Sequence, residues 1–175
     1  PPYPSQQGLF NKPTVVNNAE TLANVPKILQ NGVEWYRRHG IEKSPGTKLF
    51  SLSGKVKQTG LIEVPMGTTF GQVIYDIAGG IKDGKKFKAA QIGGPSGSCI
   101  VEENLNTRID YESLEAIDAI MGSGGLVVAD DTTCMVDLSR FFMDFLQRSS
   151  CGKCIPCREG TRRMLEILDS ITKRP

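Results

Sequence analysis

Histidine and tryptophan are almost missing from this chain, which holds one of each in 175 residues. The lone histidine, His39, sits between Arg37-Arg38 and Gly40 and reads as a solvated residue. No Ser–His or Cys–His catalytic pair is foreseen from it. Long apolar runs are also lacking. None approaches the roughly 20 residues that cross a bilayer, so no membrane insertion is expected. No charge of one sign dominates: 21 Lys+Arg against 19 Asp+Glu leave a net +2. A field that weak does not call for nucleic acid or an anionic membrane. There is no initiator methionine before Pro1 and no charged-then-apolar leader, and both ends read as interior to a longer protein. Cysteine is scarce and odd in number, five in all. That argues against a disulfide framework and for reduced thiols in a cytoplasmic setting.

What remains is ordinary globular composition, 39% hydrophobic and 23% charged, with an α+β texture. The proline-rich residues 1–16 read as extended. Asn17 to Gln30 suits a short helix with Asn18 as N-cap, and Pro26 as a break or a fresh start. Val33 to His39 adds a turn or two, stopped by Gly40. From Thr47 the pattern changes. Lys48 to Ser53 and Gly60 to Val64 read as two strands joined by a long turn. Phe70, Val73, Ile74 and Ile77 then follow helical spacing from a Thr68 or Thr69 cap to about Ala78. Strand, strand, helix opens a β-grasp (ubiquitin-like) fold. Further strands are expected at Ala89 to Ile92 and Gly125 to Ala129. A helix from Thr132 or Thr133, with Val136, Phe141, Phe142, Phe145 and Leu146 apolar, ends near Ser150. Another runs from about Pro156 to Ile171. The pair reads as half of a helical bundle.

Between those two helices lies the strongest signal, Cys151-Gly152-Lys153-Cys154-Ile155-Pro156-Cys157. Thiolates at i, i+3 and i+6 can converge on one side of a tight turn, and cubane iron takes soft sulfur ligands. Gly152 lets backbone amides approach sulfur, while Lys153 and Arg158 favour deprotonated thiols. A lone CxxC suits a redox dithiol or half a zinc site; the triplet points to iron–sulfur chemistry, with zinc as the other reading. Three thiols are one short of four. Cys99 and Cys134 read as small buried hydrophobes, so the fourth ligand is expected beyond residue 175. The segments Gly93 to Gly97 and Gly122 to Gly125 read as structural turns rather than phosphate cradles, lacking the strand–GxGxxG–helix context. Glu102-Glu103 and Asp130-Asp131 read as solvated turns, and Trp35 and Tyr36 as packing residues.

SSCGKCIPCREGT resembles the cluster-binding signature of the NADH-oxidising flavoprotein subunit of respiratory complex I and its relatives. These include the matching subunits of NAD(P)-linked iron hydrogenases and formate dehydrogenases. GLFNKPTVVNNAETLANVP resembles the end of that family's flavin domain, and KLFSLSGKVKQTGLIEVPMGTTFGQVIYDIAGG its β-grasp module of SLBB type. QIGGPSGSCI and IDYESLEAIDAIMGSGGLVVADD resemble the hydrogenase branch most. The resemblance covers nearly the whole chain. It implies a division into residues 1–45, the end of a flavin-binding domain; 46–131, an SLBB-type β-grasp domain; and 132–175, part of a helical iron–sulfur domain.

The same resemblance implies an NAD(P)H:acceptor oxidoreductase in which hydride passes to FMN and single electrons pass on to a [4Fe-4S] cluster. Cys151, Cys154 and Cys157 match three cluster ligands. Asn17, Asn18 and Thr21 match a stretch that contacts FMN in the full-length parent. Partners are expected to be other subunits of a multi-subunit redox complex, including an iron–sulfur thioredoxin-like subunit. The glycine-rich segment that holds FMN and NADH in this family would lie upstream of Pro1. The chain alone is therefore expected to be inactive, to hold flavin poorly, and to leave its cysteine loop mobile or metal-free. The alternative is a non-catalytic β-grasp module that docks subunits or binds a small ligand; a zinc-binding interaction module ranks third.

Overall fold

The computed structural model describes residues 2–173. Helix α1 (Ala19–Asn31) starts where expected: Asn18 is extended, and its side-chain oxygen accepts the Glu20 amide at 2.8 Å. Asparagine at that position satisfies one of the amides that open every helix. Pro26 does not break α1 but lies within it. The proline and Leu22, whose carbonyl loses its amide partner, both lie on an exposed stretch, where water can serve that carbonyl. Gly32, at φ +87°, ends the helix with its amide on the Ile28 carbonyl. Helix α2 (Val33–Arg37) follows, then a small ribbon of β1 (Gly40–Ile41) and β2 (Ser44–Pro45).

Five strands form the main sheet: β3 (Thr47–Gly54), β4 (Gly60–Pro65), β5 (Phe87–Ile92), β6 (Ser98–Ile100) and β7 (Gly125–Asp130). Their order is β4-β3-β7-β5-β6. The central pair β3/β7 is parallel, with Ser51 opposite Gly125, and the other neighbours are antiparallel. First and last strands side by side in the middle, with β4 outside β3 and the β5/β6 hairpin outside β7, is β-grasp topology. The core follows from the strand period of two. In β3 the inward positions Lys48, Phe50 and Leu52 are buried, while Leu49 and Ser51 are exposed. Phe50, Val64, Ile92, Ile100, Leu126 and Val128 meet Phe70, Val73 and Ile74 from the one helical segment laid across the sheet. Each such side chain contributes roughly 1.5–3 kcal/mol by leaving water.

That segment differs from a regular α-helix. Gln72–Ile77 is wound as a π-helix, with the Ala78 amide on the Val73 carbonyl at 3.0 Å. The extra residue per turn moves the buried face on by one position. Ala78 is 1% exposed, whereas Ile77, the expected core residue, is 39% exposed. Strand β6 was not foreseen; the Gly93–Gly97 turn delivers it beside β5. Two glycines clamp the parallel pair. Gly54 (φ +93°) and Gly124 (φ +87°) lie so close to the neighbouring strand that a Cβ would meet Val128 O at 2.2 Å and Leu49 O at 2.0 Å.

Several polar residues are buried, and each buried side-chain polar atom among the described residues has a hydrogen-bond partner. Asp130 corrects the reading of Asp130-Asp131 as a solvated pair, for it is 3% exposed. Its carboxylate accepts the Thr132 and Thr133 hydroxyls at 2.7 and 2.8 Å and the Thr132 amide at 3.2 Å. Those bonds keep the threonines out of the helix, which begins later: α4 spans Met135–Ser149, after the short α3 (Tyr111–Glu115). Helix α5 (Thr161–Thr172) returns alongside it. Arg140 near the start of α4 reaches Asp169 near the end of α5 at 3.6 Å, so the two run antiparallel. Neither helix has a fully buried residue, and Phe141, Phe145, Met164, Ile167 and Ile171 stay exposed. The architecture is thus α+β, with helices before and after the five-stranded sheet.

Candidate metal centre

Helix α4 ends at Ser149, and Ser150 turns extended at φ −63°, ψ 126°. The Ser150 hydroxyl accepts the Gly152 amide at 3.2 Å and lies 3.3 Å from Cys157 Sγ. Gly152 takes φ +76°, a conformation costly for any residue with a Cβ. Arg158 locks the loop: its guanidinium donates to the Gly152 carbonyl at 2.5 Å, and its amide donates to the Cys154 carbonyl at 2.9 Å. A π-wound turn, Pro156–Gly160, carries Cys157 into α5, and Thr161 Oγ1 donates to the Cys157 carbonyl at 2.5 Å. Pro156 at its first position costs no hydrogen bond.

Cys151, Cys154 and Cys157 are free thiols on exposed residues. One loop carries all three within seven residues, but among the described residues no three Cys, His, Asp or Glu side chains gather at a common point. The cations are already engaged. Arg158 also meets Glu159 at 3.2 Å, and Lys153 Nζ lies 5.3 Å from the centre of the Tyr3 ring. The donor set fits an iron–sulfur cubane at three corners: soft sulfur at the right spacing, a glycine turn, and an adjacent guanidinium. Cys134 cannot supply the fourth, for the 15 residues of α4 separate it from Ser150, about 22 Å at the helical rise. Cys99 lies on β6 in the sheet.

Both outlying cysteines correct their reading as buried hydrophobes, since both residues are exposed. Cys99 donates to Gln91 Oε1 at 2.9 Å, and partial burial of its thiol pushes the pKa up. Cys134 stands at the N-cap of α4.

The second set of candidates lies at the other end of the chain. Asn18 and Thr21 line a cleft of about 410 Å³ between α1, the β1/β2 ribbon and β3. Asn17 is exposed and outside that lining. The cleft also holds Glu20, Lys48, Tyr36 and Tyr111. Burial, then the Tyr111 and Glu20 charges, raise the Tyr36 pKa. Glu20 pairs with Lys48, and its other oxygen accepts the Leu49 amide at 2.9 Å. Sequence reasoning missed this pair, though a signal existed: Lys48 falls on the inward face of β3, where an ammonium needs a carboxylate.

The cysteine loop and the sheet both have counterparts in known proteins. Residues 137–175 match the NADH-ubiquinone oxidoreductase-F iron-sulfur binding region, and residues 49–99 match the SLBB domain. The NADP-reducing hydrogenase subunit HndC of Solidesulfovibrio fructosivorans is 55% identical over 99% of this chain and 35% of its own length. An NADH-quinone oxidoreductase subunit of Rhizobium meliloti is 46% identical over 98% of this chain and 41% of its own. The chain belongs to this family of NADH-oxidising subunits and matches its C-terminal part.

The chain thus spans between about a third and two fifths of the curated relatives it matches. A solved NAD+-reducing [NiFe]-hydrogenase superposes with a TM-score of 0.83 at 37% identity, over 98% of this chain and 29% of that one. Within this family of NADH-oxidising subunits, the iron–sulfur region covers most of α4, the cysteine loop and α5. The SLBB match covers β3 through most of β6. No helix among the described residues is long and apolar enough to cross a membrane.

Proposed function

We propose that this chain is the electron-relay part of an NAD(P)H:acceptor oxidoreductase subunit, in which Cys151, Cys154 and Cys157 supply three thiolates to a [4Fe-4S] cluster. The observation that carries the reading is the exposed thiol triplet, on a glycine turn pinned by Arg158, inside a segment matching a known iron–sulfur binding region. Cys151, Cys154 and Cys157 would hold the cluster, which would supply single-electron transfer, and a flavin facing Asn18 and Thr21 would supply hydride-accepting chemistry.

The chain's own residues have distinct tasks in this proposal. The three cysteines bind iron, with the fourth thiolate supplied by a cysteine outside residues 1–175. Arg158 holds the loop and offsets negative charge. Asn18 and Thr21, with Asn17 beside them, face the flavin across the α1 cleft. The proposed division is 1–45 for the flavin-domain end, 46–131 for the SLBB-type β-grasp and 132–175 for the iron–sulfur helices. The unpartnered apolar side chains of α4 and α5 fit a bundle completed by further protein. Partners would be other subunits of a redox complex, among them an iron–sulfur thioredoxin-like subunit; two relatives are themselves named as subunits. Five free thiols fit a reducing, cytoplasmic compartment.

The test is metal analysis of the whole subunit purified without oxygen. The expected result is about four iron and four acid-labile sulfide per subunit, with a broad visible absorbance bleached by dithionite. Stoichiometric zinc without sulfide or colour would overturn the proposal.

A further inference from the structure

The strongest charged surface lies away from the cysteines, at one end of the β-grasp sheet. The segment Ile81-Lys82-Asp83-Gly84-Lys85-Lys86-Phe87-Lys88 carries four lysines, all exposed, while Ile81 and Phe87 turn inward. The loop after β3 adds exposed Lys55 and Lys57. The backbone ties the two stretches together. Val56 bridges to Ile81, the Lys82 amide donates to the Lys55 carbonyl at 3.0 Å, and the Lys57 amide to the Gly80 carbonyl at 2.9 Å. The Asp131 amide closes the far side on the Lys86 carbonyl at 3.0 Å.

Six ammonium groups therefore share one rim, and none of them makes an ion pair among the described residues. Lys88 alone has a described hydrogen bond, to the Thr133 carbonyl at 2.7 Å. The exposed carboxylates nearby are Asp83 and Asp131; the buried Asp130 carboxylate is bound by its threonines and is felt by one rim charge, that of Lys55. Such crowding of like charge destabilises the isolated fold and is relieved by an oppositely charged surface.

We infer that the rim formed by Lys55, Lys57, Lys82, Lys85, Lys86 and Lys88 docks the acidic face of a partner protein. A protein face is favoured over an anionic bilayer because the apolar residues of the lysine segment itself, Ile81 and Phe87, are only 6% and 8% exposed, and the exposed aromatic beside it, Tyr75 near Gly80, is a single side chain. Its placement also limits its role. Lys88 bonds the residue before the α4 N-cap, and the cysteine loop lies at the opposite end of that helix, about 22 Å away along its axis. The rim holds a partner in register; it does not set a partner's redox centre against the thiols. This inference rests on family membership as a subunit and not on cluster ligation, so metal analysis and the binding test below fail independently.

The experiment follows amide chemical shifts of the isotope-labelled chain during titration with a glutamate-rich peptide. A variant carrying Lys82→Gln, Lys85→Gln, Lys86→Gln and Lys88→Gln serves as comparison, and phosphatidylserine/phosphatidylcholine vesicles serve as the rival probe. All four side chains are exposed, so the variant should fold, which its amide dispersion verifies directly. The expected result is shifts confined to residues 55–58, 81–88 and 130–133, weakened roughly tenfold in the variant and weakened by salt. Equal peptide binding by the variant, shifts centred elsewhere, or tighter binding to vesicles than to peptide would each overturn the inference.

Discussion

The Glu20 carboxylate of α1 lies against the Lys48 ammonium of β3, and this contact fastens the N-terminal helix to the sheet. Lys48 is 8% exposed, so its charge has lost most of its water. The second Glu20 oxygen accepts the Leu49 amide at 2.9 Å, so one side chain serves both neighbours on the strand. Removing the carboxylate should strand a buried cation. Glu20→Ala should cost about 2 kcal/mol, below the range for fully buried pairs because Glu20 keeps some exposure. Lys48→Met should cost less, since an apolar side chain suits that position, and the double variant should resemble Lys48→Met. Urea unfolding of the three variants is the check. A Glu20→Ala loss no larger than that of a surface substitution, about 0.5 kcal/mol, would contradict this role.

Asp130 makes an acid-dependent contribution. The Thr132 hydroxyl holds its carboxyl below the usual range against the opposing effect of burial, helped by Thr133, the Lys55 charge and the Thr132 amide. The folded pKa thus lies below the unfolded value of about 3.9. Its stabilisation is complete above that value and is lost as pH falls through the folded pKa. Thermal unfolding from about pH 6 down to about pH 3 should show wild type and Asp130→Asn converging as acid is added. Parallel curves would show that the carboxylate charge does not matter.

The parts of the fold set by local pattern were legible. Phe50 and Leu52 announce β3 by their alternation, Asn18 announces α1, and the apolar spacing of Phe141 and Phe145 announces α4. Features decided by distant partners were hidden. The π-winding of Gln72–Ile77 depends on how the segment seats on the sheet, so Ala78 takes the place that spacing assigned to Ile77. The three-residue strand β6 exists because β5 is there to pair with it. Asp130 looked solvated beside Asp131, yet the two threonines after the pair were a readable sign of a carboxylate held by local donors. At the candidate centre the cysteine spacing was plain from sequence. The fourth corner was not, because three thiols leave a cubane one ligand short and nothing in the spacing says which donor completes it.

The parallel β3/β7 pair should tolerate no side chain at its two clamps. Gly124→Ala would place a Cβ 2.0 Å from the Leu49 carbonyl oxygen, in a backbone with φ +87°. That oxygen belongs to the strand backbone and cannot swing away. The expected loss is about 2 kcal/mol or more, combining the left-handed backbone with the clash. Gly125→Ala is the control, since nothing lies within 4 Å of the added carbon. It should change stability by less than about 0.5 kcal/mol. Denaturant midpoints of the two variants, measured side by side, decide the matter; equal losses would mean that the close approach is not what the glycine serves.

Cluster loading and folding should separate cleanly at the cysteine loop. Cys151, Cys154 and Cys157 are exposed, so serine at each should leave the unfolding midpoint nearly unchanged while lowering iron and sulfide content sharply. Cys99→Ser and Cys134→Ser should load as wild type. Arg158 tests how the loop works. Its guanidinium holds the Gly152 carbonyl at 2.5 Å and carries a positive charge beside Cys157. Arg158→Gln should weaken the hold on the loop and remove the charge, so cluster loading should fall and the midpoint potential of the loaded whole subunit should move negative. Arg158→Lys keeps the charge but cannot reproduce the planar hydrogen-bond geometry, so it should restore the potential more than the loading. If both variants changed loading and potential by the same proportion, charge and loop geometry would not be separable functions of this residue.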